Sequence, residues 1–489
     1  MPSSLAAADP RAACLQINER SPRGGLFEGD RPRVHPDSNL PWRISPEPFG
    51  LSAAQTAFLD ALGPAIHGFY RASNLLYQQS VRGLAPAWIH GYLDQGKPAE
   101  IVELGRMNRF RSHLPLVMRP DLVLTGEGFR LVELDSVPGG MGFTAQVCER
   151  YAELGFDLIG GARGLVDDLY AAIAATAGAP QPVAAIVVSD ESAAYRAEMD
   201  WLARSLRAAG RPVFCLHPRD LHFDERGLSV HPEEAGEPLR IDVVYRFFEL
   251  FDLKNIPKAE LIVYFAKRNA VRVTPPLKAQ LEEKMWLALF WHPMLQDYWR
   301  HELGETAQAL LRALIPRTWI VDPRPVPPHA LIPDLQVDGH PIGSWDALAA
   351  AGKRQREFVL KPSGFSDLAY ESRGVSVGHD LPEEEWAARL QEAQEQFDRQ
   401  PYVLQEYRSA SRVAVRYYDF AADRIETMHG RALVRPYYYL HGDAVRLAGV
   451  QAVVCPPDKK VLHGMADAVL APCSARATQP PICGPSPPP

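Results

Sequence analysis

Glu133 and Asp135 lie two residues apart at the end of an apolar run, in the stretch FRLVELDSVPGGMG over residues 129–142. In an extended chain that spacing puts both side chains on one face. Like charges held so close repel unless a cation lies between them. Upstream, LVMRPDLVL supplies a second apolar run, separated from the first by Gly126-Glu127-Gly128, which is the pattern of a β-hairpin. A three-residue loop centred on Glu127 sets Asp121 across from Glu133 and Arg119 across from Asp135, all on the odd-numbered face. Leu122, Leu124, Val132 and Leu134 take the even-numbered face and pack. Three carboxylates beside one arginine leave the negative charge only partly offset. Oxygen ligands without His or Cys suit a hard cation, and Mg²⁺ is the usual one where phosphates share the site. A solvated hairpin end with a cross-strand Arg–Asp pair, contributing only ~0.2–1 kcal/mol, accounts for the same residues. The following Val-Pro-Gly-Gly also reads as a plain turn.

A second group lies far downstream. In FVLKPSGFSDLAYESRGVSVG, Lys361 closes a strand, a Gly/Ser-containing loop follows from Pro362 to Arg373, and a return strand comes after it. A lysine fixed beneath such a loop suits a nucleotide whose phosphates are covered after binding. YVLQEY ends in Gln405, Glu406 and Tyr407, able to present backbone and polar groups to an adenine edge. Taken singly, Lys361 is equally a strand-end surface charge and Glu406 a solvated edge residue. HGRALVRPYYYLHGD places Arg431 and Arg435 on a strand. Arginine matches phosphate or carboxylate bidentately, so Arg435 is a candidate ligand for either, with a structural salt bridge as the competing account. Arg246, in VVYRFFEL, is a candidate for a substrate carboxylate, because α/β sheets bind ligands at strand ends.

The elements that must position these residues fall into blocks. Residues 1–45, rich in Pro, Arg, Ser and Gly without apolar periodicity, read as an irregular arm, and residues 475–489 as a Pro-rich disordered tail. Residues 46–180 hold long helices and the carboxylate hairpin. Residues 181–275 alternate strand and helix, which implies a parallel sheet. Residues 276–474 open with the helical pattern LKAQLEEKMWLALFW, continue through the Lys361 strand and a helix capped by Asp380, and end in antiparallel strands. The class is α+β.

Composition excludes several functions. At 489 residues the chain can bury more than one core. A net charge of −7 gives no pull toward nucleic acid or anionic membranes. The six cysteines are scattered without a Cys-x-x-Cys pair, as expected of reduced thiols. The N-terminus has no secretory pattern, and the most apolar runs are too short to span a bilayer, so a cytoplasmic protein is expected. No Walker A loop, nucleophile elbow, His-Glu-x-x-His helix or complete dinucleotide fingerprint is present.

Taken together, the motifs resemble the ATP-grasp superfamily, with its lysine before a covering loop, its adenine hinge strand and its acidic Mg²⁺ set. Their order, with Asp121 and Glu133-Leu134-Asp135 well before Lys361, resembles the circularly permuted branch typified by the synthetase domain of glutathionylspermidine synthetase. There, Arg-x-Asp and Glu-x-Asn on a hairpin form the metal and phosphate site. Arg119-Pro120-Asp121 and Glu133-Leu134-Asp135 match, except that Asp135 stands where the branch has Asn. The resemblance covers residues 105–470. It implies a circularly permuted ATP-grasp fold with a pre-ATP-grasp-like α/β domain over 181–275, ATP as cosubstrate, and Mg²⁺ on Asp121, Glu133 and Asp135. It also implies a second phosphate-side lysine on a helix, a place that Lys284 fits; an exposed helix lysine beside Glu282 and Glu283 fits as well.

The expected activity is ATP-dependent carboxylate–amine ligation through an acyl phosphate. In that scheme Arg119, Lys361 and Arg435 act on the reacting groups, while Lys284, Lys361, Gln405, Glu406 and Tyr407 hold the nucleotide. Partners are small-molecule or peptide acids and amines, with no nucleic acid and no membrane; the sequence leaves oligomeric state open. The alternative is an ATP-binding module without ligase turnover.

Overall fold

Asp9 accepts a hydrogen bond from the Ala12 amide at 3.0 Å, and Pro10 presets the backbone at the first helical position. Together they start α1 (Pro10–Arg20), which buries Ala13, Cys14 and Ile17. The irregular arm expected over residues 1–45 is therefore corrected. Its short apolar stripe was hidden by the Pro- and Gly-rich flanks. The computed structural model describes residues 9–29, 32–232, 237–324, 331–369 and 373–476, together with the backbone of 482–483. Most of the Pro-rich tail, and residues 370–372 of the expected covering loop, lie outside that set. Two compact units divide the chain, one made of residues up to Pro64, Leu114–Pro276 and Ala410 onward, the other of Ala65–His113 and Leu277–Ser409.

Unit one carries a nine-stranded sheet. β1 (Arg43–Ile44) and β2 (Phe49–Ser52) enter it early, and β3 (Val117–Thr125) and β4 (Gly128–Asp135) form the hairpin read from sequence. The chain returns as β13 (Arg412–Asp419), β14 (Arg424–His441), β15 (Ala444–Cys455) and β16 (Val469–Arg476). The 18-residue β14 is the spine: its first half pairs with β13, its second half with β3, and β15 runs antiparallel beside it. β1 and β2 both join β16 in parallel.

The same unit holds a four-stranded parallel sheet. Its strands are β5 (Ala184–Val188), β6 (Val213–Leu216), β7 (Val243–Phe247) and β8 (Arg272–Thr274), in the order β8-β7-β5-β6. The strand–helix alternation over 181–275 indicated this arrangement. β5 is buried along its whole length, as a parallel strand covered on both faces must be. α3 (Met141–Glu153), α4 (Gly164–Ala177) and α5 (Arg196–Ala208) share one core with both sheets, including Phe143, Leu165, Ile186, Leu202, Tyr437 and Tyr439. Each fully buried Leu, Ile or Phe there contributes about 1.5–3 kcal/mol of transfer free energy.

Unit two centres on an antiparallel sheet in the order β9-β12-β10-β11, from β9 (Thr318–Ile320), β10 (Phe358–Pro362), β11 (Ser376–Val377) and β12 (Tyr402–Glu406). Phe358, Leu360, Leu404 and Trp386 form its core, with Trp386 supplied by α7 (Glu383–Glu395). Two expectations change here. α7 follows Pro382, with three glutamates in its first turn, and is not capped by Asp380. The long helix read over LKAQLEEKMWLALFW shrinks to α6 (Met285–Trp291), and Lys284 sits immediately before it. Lys278 is drawn away by the Arg111 and His113 carbonyls and Asn74, which break the first part of that pattern.

Candidate functional site

At its open end the hairpin has the register read from sequence: Arg119 pairs with Asp135 and Asp121 with Glu133. The route to that register differs. The turn has two residues, since Thr125 pairs with Gly128, and a β-bulge between Asp121 and Leu122 takes up the extra residue on β4. Past the bulge, Leu131 and Phe129 oppose Leu122 and Leu124 and bury with them, a place expected for Val132 and Leu134.

Arg119 and Asp121 are 8% and 5% exposed, so their charges must be answered locally. Arg119 Nε donates to Asp121 Oδ1 at 2.7 Å, a second nitrogen meets Asp135 Oδ2 at 3.1 Å, and the third donates to the Gly139 carbonyl at 2.8 Å. Arg435, reaching over from β14, donates to Asp121 Oδ2 at 2.9 Å and to Gln451 at 3.4 Å. Both Asp121 oxygens are thus engaged by guanidinium groups. Burial alone would raise the Asp121 carboxyl, but Arg119 and Arg435 outweigh it and hold it below its ordinary value. Asp135 goes the other way, and its carboxyl is raised. There, burial and the neighbouring Glu133 outweigh the positive charge of Arg119.

Among the described residues, no three His, Cys, Asp or Glu side chains are grouped to hold a metal ion. The expected set of Asp121, Glu133 and Asp135 is therefore not a ready-made cage, because Asp121 is committed to its arginines. The donors whose chemistry suits Mg²⁺ are Glu133 and Asp135, since this ion takes one or two carboxylates and fills its other positions with water and phosphate.

In unit two, Lys361 is buried on β10 and its ammonium donates to Gln405 Oε1 at 2.8 Å; Gln405 in turn donates to Thr318 at 3.2 Å. Strand register explains this, since Val359, Lys361, Gln405 and Thr318 share one face. Lys284 is tied to the same strand exit through its amide, which donates to the Ser363 carbonyl at 3.0 Å. Ser363 also donates to Glu283, which forms a buried ion pair with Lys97. Neither Lys97 nor Glu283 was among the site residues singled out from the sequence. The Glu406 and Tyr407 amides donate to the Arg317 and Glu357 carbonyls, so these two donors are engaged within the unit. Glu406 pairs with Arg408, and Tyr407 stacks edge-on with His379 at 4.6 Å.

Two arginines have other employment. Arg246 is fully buried and donates to the carbonyls of Pro275, Phe248 and Pro276 at 3.0, 2.8 and 3.2 Å. Its expected role as a substrate ligand is thereby corrected to bracing the end of β8. Arg431 donates to the Lys459 carbonyl at 3.2 Å. A cavity of about 430 Å³ opens in unit two beside β9, walled by Tyr92, Trp291, Trp319 and Trp345, and none of the sequence-predicted residues lines it.

No family model and no curated protein matches the chain. Among solved structures, a glutathione synthetase-like effector from Globodera pallida in its apo form aligns with a TM-score of 0.51 at 13% identity, over 96% of this chain and 96% of that one. The likeness is one of fold. With its mixed α+β architecture, the chain shares the overall fold of that neighbour. A putative γ-glutamylcysteine synthetase from Methylobacillus flagellatus (TM-score 0.37, 12% identity, 81% of this chain, 85% of that) is too distant to carry an argument. So is a D-alanyl-alanine synthetase A from Vibrio cholerae (0.25, 11%, 52% and 67%). Among the described residues, no helix is long and apolar enough to cross a membrane.

Proposed function

We propose that the protein is an ATP-dependent carboxylate–amine ligase of the circularly permuted ATP-grasp type, joining a small-molecule or peptide acid to an amine. The observation that carries this reading is the cluster on the hairpin, where Asp121 anchors Arg119 and Arg435 beside Glu133 and Asp135, with the Asp135 carboxyl raised by burial. A fold shared with a glutathione synthetase-like protein supports it.

In the proposed reaction a substrate carboxylate oxygen attacks the γ-phosphorus, the bond to ADP breaks, and an acyl phosphate forms. The amine then attacks the acyl carbon, phosphate leaves, and the amine's proton is lost to give the amide. Arg119 and Arg435 offset charge on the transferred phosphoryl group and the acid. Lys361 and Lys284 neutralise the nucleotide's phosphate oxygens. Glu133 and Asp135 would hold Mg²⁺, which when bound offsets charge shared by the β- and γ-phosphates. The loop from Pro362 to Arg373 would keep water from the acyl phosphate.

A coupled ADP-release screen over amino acids, short peptides and polyamines tests the proposal, with Glu133→Gln as the control. Mg²⁺-dependent release with at least one acid–amine pair, lost in the variant, is expected, together with MgATP-dependent protection of residues 362–373 from protease. The engagement of both Asp121 oxygens favours a second reading, a nucleotide-binding module without turnover. Thermal stabilisation by MgATP with no ADP release from any pair would select it.

A further inference from the structure

The glycine turn that follows the hairpin is held by a residue from another element. Glu198 lies on α5 in phase with Met199, Leu202 and Leu206, and it is fully buried with them. One carboxylate oxygen accepts the Gly140 amide at 2.7 Å, and the other accepts the Gly142 and Phe143 amides at 2.9 and 3.1 Å. These are the first-turn donors of α3, which lack partners inside their own helix. The glycines permit the approach. Gly140 has φ +89°, and a Cβ on Gly142 would fall 2.3 Å from the Glu198 carbonyl oxygen.

The Gly140 amide belongs to the same planar peptide as the Gly139 carbonyl. That carbonyl accepts Arg119 at 2.8 Å and the Tyr437 hydroxyl at 3.2 Å. A rigid plane therefore links the two ends: turning its N–H away from Glu198 turns its C=O away from Arg119. Hydrogen bonds in such a chain also polarise one another.

We infer that Glu198 is a positioning residue for Arg119, acting through the Gly139–Gly140 peptide to hold the guanidinium between Asp121 and Asp135. This rests on the ligase reading for the use of Arg119, but not for its position. Among the described residues, Arg119, Tyr245, Tyr437 and Tyr439 interact electrostatically with Glu198 from β3, β7 and β14. Burial pushes the Glu198 carboxyl up to about 7, against the three amides and Arg119.

The test compares the intact protein with Glu198→Gln and Glu198→Asp, reading hydrogen exchange of the Arg119 guanidinium by NMR, assigned with Arg119→Lys. Faster exchange at Arg119 in Glu198→Gln, by about tenfold or more, with partial recovery in Glu198→Asp, is expected. Unchanged exchange in a folded Glu198→Gln overturns the inference. If Glu198→Gln does not fold, Glu198→Asp decides: its shorter carboxylate should speed Arg119 exchange relative to wild type, and unchanged exchange overturns the inference. Where turnover is found, kcat should fall about tenfold or more in Glu198→Gln while KM for ATP holds. A matching rise in KM with kcat unchanged also overturns it. A wild-type protein without turnover would sink the ligase reading and leave the NMR result to decide this one.

Discussion

Asp121→Ala should destabilise unit one by about 3 kcal/mol at neutral pH, the low end of the ~3–5 kcal/mol seen when one partner of a buried ion pair is removed. The low end applies because neither arginine is stranded. Arg119 keeps Asp135 and the Gly139 carbonyl, and Arg435 keeps Gln451. At about 2 °C per kcal/mol for a unit of this size, the Tm of the corresponding calorimetric transition should fall by roughly 6 °C. Asp121→Asn keeps the shape without the charge and should lose less. Removing Arg435 as well, in Asp121→Ala/Arg435→Met, should recover about 1 kcal/mol or more relative to additivity, because the two side chains interact directly. The pH dependence has a fixed sign. A carboxyl held below its unfolded value, near 4, stabilises the fold above that pH and loses the contribution as pH falls through the folded value. The deficit of Asp121→Ala should therefore shrink in acid. A Tm within a degree of wild type at pH 7, with no coupling to Arg435, would refute the reasoning.

Asp135→Asn should raise Tm at pH 7 in the absence of Mg²⁺. The Asp135 carboxyl is held above its unfolded value, so its charge weakens the fold once pH exceeds about 4. The gain should vanish below that pH, and a lowered Tm at pH 7 contradicts it. Lys361→Met should abolish stabilisation by MgATP, which for a specific ligand at a hundred times its Kd is about 2.7 kcal/mol; a wild-type thermal shift would remove Lys361 from the nucleotide site. Arg246→Met leaves three carbonyls without a donor and should destabilise unit one by about 3 kcal/mol or more. KM values should be unaffected, and a change confined to KM would reinstate it as a substrate ligand.

The carboxylate face was legible because period-two alternation and a glycine-flanked turn constrain strand pairing strongly. The turn itself was not. A three-residue loop and a two-residue turn with one bulge give the same register at the open end, so the sequence could not distinguish them. β5, β6 and β7 were legible as a parallel sheet from their alternation with helices. Glu198 was hidden, because an isolated glutamate on an amphipathic helix reads as a solvated charge. Its phase with Met199, Leu202 and Leu206 was the available signal. Lys284 was assigned to a helix because apolar spacing continues across LKAQLEE, whereas the tertiary bonds of Lys278 override local propensity there. The commitment of Arg246 to backbone carbonyls depends on where residues 275 and 276 return in space, which no local pattern encodes.

The ion pair between Asp121 and Arg435 joins residues 314 positions apart. During synthesis, Asp121, Glu133, Asp135 and the whole of unit two leave the ribosome before β14 exists. Until then Asp121 has Arg119 as its arginine and β3 lacks the neighbour supplied by β14. Such long-range closure is slow compared with local folding. A chain cut short after Ser409 would carry Lys284, Lys361 and Gln405 but neither Arg435 nor the spine of the sheet. The Asp121–Arg435 pair thus comes into being only once β14 has been made, and a copy stopped before that strand holds one partner of the pair without the other.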